Sequence, residues 1–185
     1  MASLTLTSDE QREFLALARQ SILAHLTRGP RPRLEGPAAA AHLGAFVSLH
    51  VHGDLRGCIG YPPADRPLGE VIARCAVSAA SEDPRFPSLT LEELALAHIE
   101  ISVLGPIEPV RDIGEIVVGR HGLIVSQGFS KGLLLPQVAT ERGWDRETFL
   151  GYTCLKAGLK RDAWRSGAQI EKFEALVFAE QAAAS

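Results

Sequence analysis

The chain has 185 residues, 46% of them hydrophobic and 22% charged, with a formal charge of -3 from 19 basic and 22 acidic side chains. That is enough chain for one globular domain with an ordinary core and no need of metal or disulfide staples. The balance speaks against a nucleic-acid partner, which requires a basic patch to neutralise phosphates. Arg28, Arg31 and Arg33 come nearest to a cluster, and they sit among Gly29, Pro30 and Pro32 as in a solvated linker.

The segment Met1 to Glu10 is polar and lacks the basic-then-apolar layout of a signal peptide. No apolar run approaches the roughly 18 residues that span a bilayer. The three cysteines, Cys58, Cys75 and Cys154, are widely spaced and form no C-x-x-C pair. The expectation is a cytoplasmic chain with free thiols and no membrane partner.

In chain order, Ser8 is placed to cap a helix with Gln11 completing a capping box, and apolar residues recur to Leu26 at helical spacing. Thr27 to Pro37 holds three prolines and two glycines and reads as a linker. Ala45 to Val51 alternates as a half-buried strand, with Phe46, Ser48, His50 and His52 on one face and Val47, Leu49 and Val51 on the other. Gly53-Asp54 then suits a two-residue turn into a return strand, Leu55 to Gly60.

Pro67 opens a second helix whose apolar face is Leu68, Val71, Ile72, Cys75, Ala76 and Ala79. Asp83 to Pro87 is irregular between two prolines, Leu91 to Ala97 reads as a short helix, and His98 to Leu104 as a strand with Ile99, Ile101 and Val103 inward. Ile116–Val118 and Gly122–Ser126 are short apolar runs, Gly128 to Lys131 a turn, and Gly132 to Leu135 a strand. Pro136 begins a helix to about Arg142, Asp145 caps another over Glu147–Ala157, and Gly158 ends it. Ile170 to Phe178 forms the last strand, alternating around Phe173, Ala175 and Val177. With no regular strand-helix-strand beat and several hairpins, the fold class is α+β with a mainly antiparallel sheet.

Cys58 stands out because Gly57 and Gly60 flank it and permit close approach of the backbone. With a turn at Gly53-Asp54, Leu49 pairs with Cys58 and Val51 with Arg56, which puts Arg56 and Cys58 on the apolar face. An Arg there needs a partner, and beside a thiol it favours the thiolate. The two readings are a reactive or ligand-binding thiol beside an anion-binding Arg, and a small core cysteine. Cys75 and Cys154 lie on apolar helix faces and read as core. His50 and His52 share a face at chelating spacing, but without a third ligand they read as an exposed pair directed away from Cys58. A bulge in the hairpin would reverse that parity. His121 lies between glycines in a tight turn and is either a local hydrogen-bonding residue or an acid or base. Glu100 reads as solvated or paired across strands. No phosphate-loop, dinucleotide or zinc-protease motif is present, and no metal or cofactor is indicated.

Leu55-Arg56-Gly57-Cys58-Ile59-Gly60 resembles the signature of the AMMECR domain family. Asp83-Pro84-Arg85-Phe86-Pro87-Ser88-Leu89-Thr90, Val118-Gly119-Arg120-His121-Gly122-Leu123, Leu133-Leu134-Leu135-Pro136-Gln137-Val138-Ala139, Trp144 and Cys154-Leu155-Lys156-Ala157-Gly158-Leu159 resemble further blocks in the family's order. The resemblance runs over about residues 8–180 and is strongest to the bacterial and archaeal branch, protein A of the AmmeMemoRadiSam system. It implies one domain over 1–185 with two unequal lobes and a cleft between them, the larger from the N- and C-terminal parts and the smaller from the middle. It implies a Memo-type protein and a radical SAM protein as partners. It marks Cys58 and His121 as catalytic candidates, and Arg56, Gly57, Arg85 and Phe86 as contacts for a small molecule or peptide. The expected function is a cleft centred on Leu55–Gly60 that either uses Cys58 as a reactive thiol or binds a protein or peptide without catalysis.

Overall fold

The computed structural model describes residues 5–62 and 66–181. The fold is α+β, and every strand pair with a described register is antiparallel. The chain forms two compact units, one from residues up to Leu104 together with those from Leu176 onward, the other Gly105–Ala175.

The first unit opens with α1, Ser8–Thr27. Its N-cap is Thr7, one residue earlier than the Ser8 expected, and the capping box is closed by Glu10 instead of Gln11. A carboxylate at the third helical position accepts the cap N–H better than an amide and suits the positive end of the helix dipole. A short helix α2, Pro37–Ala40, interrupts the linker. Strands β1, Ala45–Val51, and β2, Asp54–Tyr61, form a hairpin, and helix α3, Leu68–Ser81, follows. Helix α4, Leu91–Leu96, leads into strand β3, Ala97–Leu104. The sheet order is β2-β1-β3, and the end of the last strand, β7, Gln169–Ala179, lies beyond β3.

The core of this unit lies between one sheet face and the helices. Val47, Leu49, Ile99, Ile101 and Val103 are fully buried against Phe14 and Ile22 of α1 and Leu68, Ile72 and Cys75 of α3. Each large apolar side chain so buried contributes about 1.5–3 kcal/mol. The alternation read from the sequence assigns β1, the first half of β3 and α3 correctly because each has one dry face and one polar face; from Ile101 on, β3 is buried on both faces.

The hairpin differs from expectation. Its turn is His52-Gly53, both with positive φ (53° and 87°), as a type I′ turn requires. Asp54 therefore belongs to β2 and pairs with Val51. The register then shifts between Leu49 and His50, so Arg56 is an extra residue on β2, Gly57 pairs with Leu49 and Cys58 with Ser48. A one-residue slip exchanges the faces of a strand. Cys58 therefore lies on the polar face with Phe46, Ser48 and His50, not with Leu49 as expected. His50 is on the same face as Cys58, and His52 is in the turn.

The second unit contains strand β4, Glu108–Pro109, a one-turn 3₁₀ segment Ile113–Glu115, strand β5, His121–Gln127, and strand β6, Ser130–Leu134. Helices α5, Pro136–Glu141, and α6, Arg146–Lys156, follow. β5 pairs with β6 on one side and β7 on the other. Leu123, Ile124 and Val125 are all fully buried, as a continuous apolar run implies; Phe149 and Leu150 of α6 pack in one cluster with Leu123, and Cys154 in another with Val125. The run Ile116–Val118 is not a strand; Ile116 follows the 3₁₀ turn and is fully buried, Val118 packs partly buried on the same core, and Val117 is exposed. β7 does not keep one buried parity. Phe173 is buried in the second unit, whereas Leu176 and Phe178 pack on the core of the first and Val177 is exposed.

Candidate functional site

Two features of β2 set the geometry. Gly57 lies directly on α3, where a Cβ at that position would stand 2.1 Å from the carbonyl oxygen of Ala79. Gly60 is covered by the Phe46 ring, whose nearest atom would be 2.2 Å from such a Cβ. The two glycines are therefore demanded by space, not by backbone angle. Between them Cys58 projects from an edge strand, its N–H turned away from β1 toward Asp83 Oδ2 at 2.9 Å. That direction makes Ser48–Cys58 a non-hydrogen-bonded pair, whose side chains approach closely, and the Ser48 hydroxyl meets Cys58 Sγ at 3.2 Å.

Asp83 is the anchor that reading the sequence missed. It is buried, at 4% exposure, directly after the end of α3. Its carboxylate accepts from Cys58 N, from Arg85 N at 3.1 Å, and from Arg85 Nε and Nη2 at 3.0 and 2.7 Å. The paired Arg85 guanidinium above all, then the two backbone N–H groups, hold the Asp83 carboxyl far below the usual range. The sequence signal was an Asp at a helix end followed by Pro and Arg, a pattern that turns the chain and offers a cation.

Arg56 has its partner on the same segment. Its Nε and Nη2 lie 2.8 and 3.0 Å from the two Glu93 carboxylate oxygens, and Nη1 donates to Pro87 O at 2.9 Å. Arg56 lowers the pKa of Glu93, with help from the Thr90 cap. Asp83 and Arg56 thus fasten residues 83–93 along the open edge of β2, the kind of cover an edge strand needs. Phe86 lies between the two guanidiniums, 5.8 Å from Arg56 Cζ and 5.4 Å from Arg85 Cζ. Arg56 is only 13% exposed, while Arg85 is 55% exposed and its Nη1 is not used by Asp83.

The structure therefore brings Arg56, Gly57, Cys58, Arg85 and Phe86 into one site and adds Ser48, Asp83 and Glu93 to it. Burial pushes the Cys58 thiol up, and Asp83 and Glu100 add to the rise; Ser48 and Arg85 oppose it. Arg56, expected beside the thiol, is spent on Glu93 and Pro87. Cys75 and Cys154 are fully buried, and burial pushes the Cys75 thiol up to about 12.

His121 belongs to the second unit, as the first residue of β5. Its Nδ1 accepts the Val117 N–H at 3.0 Å, which leaves Nε2 as the protonated nitrogen of the neutral ring. Burial lowers its pKa, and Lys172 and Arg120 lower it further. His121 is thus the hydrogen-bonding residue that closes its own turn. Glu100 lies opposite Ser48 on β3, on the face of Cys58, and His98 lies opposite His50. Among the described residues no group of three or more His, Cys, Asp or Glu could hold a metal ion. Among them also no helix is long and apolar enough to cross a membrane.

An α+β domain whose Gly-Cys-Ile-Gly edge strand is clamped by a buried Asp paired with a half-exposed Arg is what the fold and site define. Residues 15–178 match the family model described as AMMECR1, and the chain belongs to the AMMECR1 family. It is 42% identical over 187 residues to a protein of Methanosarcina mazei, covering 95% of this chain and 94% of that one. It is 48% identical over 146 residues to a protein of Methanocaldococcus jannaschii, covering 74% and 73%. The crystal structure of an uncharacterized protein from Pyrococcus horikoshii is similar with a TM-score of 0.89 and 39% identity, over 95% of this chain and 94% of that one.

Proposed function

We propose that the protein is a recognition module, with the clamped segment Arg85–Phe86 and strand Leu55–Gly60 as its binding surface and Cys58 as a packing residue in that surface. The observation that carries this reading is the state of the thiol. Burial raises its pKa despite the opposing Ser48 hydroxyl and Arg85, and among the described residues no imidazole or amine hydrogen-bonds to its sulfur. A nucleophilic cysteine needs the reverse, an adjacent base or a cation that depresses its pKa. The alternative, a catalytic Cys58 with His121 as acid or base, would have to free the His121 Nδ1 now held by Val117. Arg85 and Phe86 have the properties of interface anchors, a guanidinium and an aromatic ring fixed before binding.

The partners implied by the AMMECR resemblance are a Memo-type protein and a radical SAM protein, in a cytoplasm whose reducing conditions suit three free thiols. The test is titration of each purified companion against the wild-type protein and the double variant Arg85→Ala, Phe86→Ala. One companion binds the wild type, and the double variant loses about 30-fold in affinity, about 2 kcal/mol. Arg165→Ala, on the exposed surface of the second unit, leaves binding unchanged. Equal affinity of the double variant and the wild type would remove this surface from the account.

A further inference from the structure

The polar face of the first unit's sheet carries a row of side chains that the signature alone does not include. Cys58 of β2, Ser48 of β1 and Glu100 of β3 stand directly opposite one another across three adjacent strands. Arg85 closes the row on the outer edge of β2, held there by the carboxylate that also binds Cys58 N. The row has two unlike ends. At one, Arg85 is half-exposed and, among the described residues, has no hydrogen-bond partner at Nη1. At the other, Glu100 is half-buried and, among the described residues, accepts no hydrogen bond and joins no ion pair. The two carboxylates that fasten the edge of β2 are occupied: Asp83 by Arg85 and Cys58, Glu93 by Arg56 and Thr90. The Glu100 oxygens reach solvent, since among the described residues only Gln137 Oε1 is a buried side-chain polar atom without a partner, and the carboxylate is open to an added cation.

The middle of the row is small and weakly polar, a thiol and a hydroxyl that satisfy each other. Beside it, the Phe46 ring lies flat over Gly60 and supplies an apolar floor. Two strand intervals separate Cys58 from Glu100, one close non-hydrogen-bonded pair and one wide pair, so these two are about 10 Å apart between Cα atoms, and the Arg85 guanidinium follows one bridging carboxylate beyond Cys58. An extended chain covers that distance in about three residues.

We infer that this row binds a short linear peptide with free ends, its ammonium group on Glu100 and its carboxylate on Arg85 Nη1, with the backbone passing over Ser48 and Cys58. The inference rests on the recognition reading above and names the chemistry of what is recognised. It makes Glu100 and Ser48 binding residues, although neither lies in a signature block.

Triglycine is the probe, titrated into the full chain while the backbone amides of Ser48, Cys58, Gly60 and Glu100 are followed by NMR. Triglycine shifts these amides saturably. N-acetyl-triglycine and triglycinamide each bind at least about tenfold more weakly, the loss of one charge-assisted contact. In Glu100→Gln the acetylated and free peptides bind alike, because the carboxylate that distinguished them is gone; in Arg85→Ala the amidated and free peptides bind alike. Absence of a saturable shift at the solubility limit of triglycine, or equal binding of the free and blocked peptides to the wild type, would overturn the inference. If a companion protein still binds through Arg85 and Phe86 in that case, the recognition surface stands and only its peptide ligand is lost.

Discussion

Replacing Gly57 by alanine destabilises the protein by about 3 kcal/mol, near the upper end for overpacking a tight contact. At this chain length that is a fall in melting temperature of roughly 6–12 °C. The new Cβ would stand 2.1 Å from a backbone oxygen of α3, Ala79 O, and 3.0 Å from its carbon. Neither a rotamer change nor a small side-chain shift relieves such a clash, so β2 must lift from α3 and take Cys58 and Arg56 with it. Gly60→Ala is the control. The obstacle there is the Phe46 ring, which can move, so the cost is smaller, about 1–2 kcal/mol. Thermal unfolding of the two variants side by side checks the order, and a Gly57→Ala protein as stable as Gly60→Ala would mean that β2 is not seated on α3 as described.

Asp83→Ala has an effect of similar size by a different route. The substitution removes the acceptor for the Cys58 N–H and for Arg85, and hydrogen bonds to a charged group are worth about 1.5–3 kcal/mol each. Arg85 can turn to solvent, so the loss concentrates on the stranded amide and the loosened segment 83–93, about 3 kcal/mol at neutral pH. The pH dependence identifies the cause. The Asp83 carboxyl is depressed in the folded protein, mainly by Arg85, relative to an ordinary value near 3.9 when unfolded. Its contribution is therefore complete above about pH 5 and is lost as the pH falls from about 4 through the lower folded value. Urea unfolding of the wild type and Asp83→Asn between pH 7 and pH 3 should show the gap between them shrinking below pH 4. A gap that stays constant over that range would mean that the role of Asp83 is not that of an ionised acceptor.

The sequence made most of the elements legible, and the reasons lie in particular residues. β1 and the first half of β3 alternate because one face meets α1 and α3, so Val47, Leu49, Ile99 and Ile101 could be placed inward from pattern alone. The buried run Leu123–Val125 and the faces of α3 and α6 were readable for the same reason. β7 was not, because its residues serve two cores, and no single parity describes Phe173, Leu176 and Phe178 together.

The location of the site was legible, but not its orientation. Gly57, Cys58 and Gly60 marked a strand that something approaches closely, and Arg56 was seen to need a partner. The partner could not be named, since Glu93 is 37 residues away and reaches Arg56 only through the fold. The side of the sheet on which Cys58 falls depended on the choice of turn and on one bulged residue. His52 adopts a left-handed conformation that a sequence containing Gly53-Asp54 gives little reason to expect. That slip replaced Leu49 with Ser48 as the neighbour of Cys58 and brought Glu100 into its row. Asp83 was passed over because an Asp before Pro reads as a turn residue, and its burial follows only from the closeness of β2.

The most direct test of the central claim is the pH dependence of alkylation at each cysteine of the folded protein, resolved by mass spectrometry. If Cys58 is a packing residue of a recognition surface, it reacts with a midpoint above the ordinary thiol value of about 8.5, while Cys75 and Cys154 react only on unfolding. A Cys58 that reacts rapidly with a midpoint well below that value would be a thiolate at neutral pH. The site would then be an active site built around a nucleophile, contrary to this account.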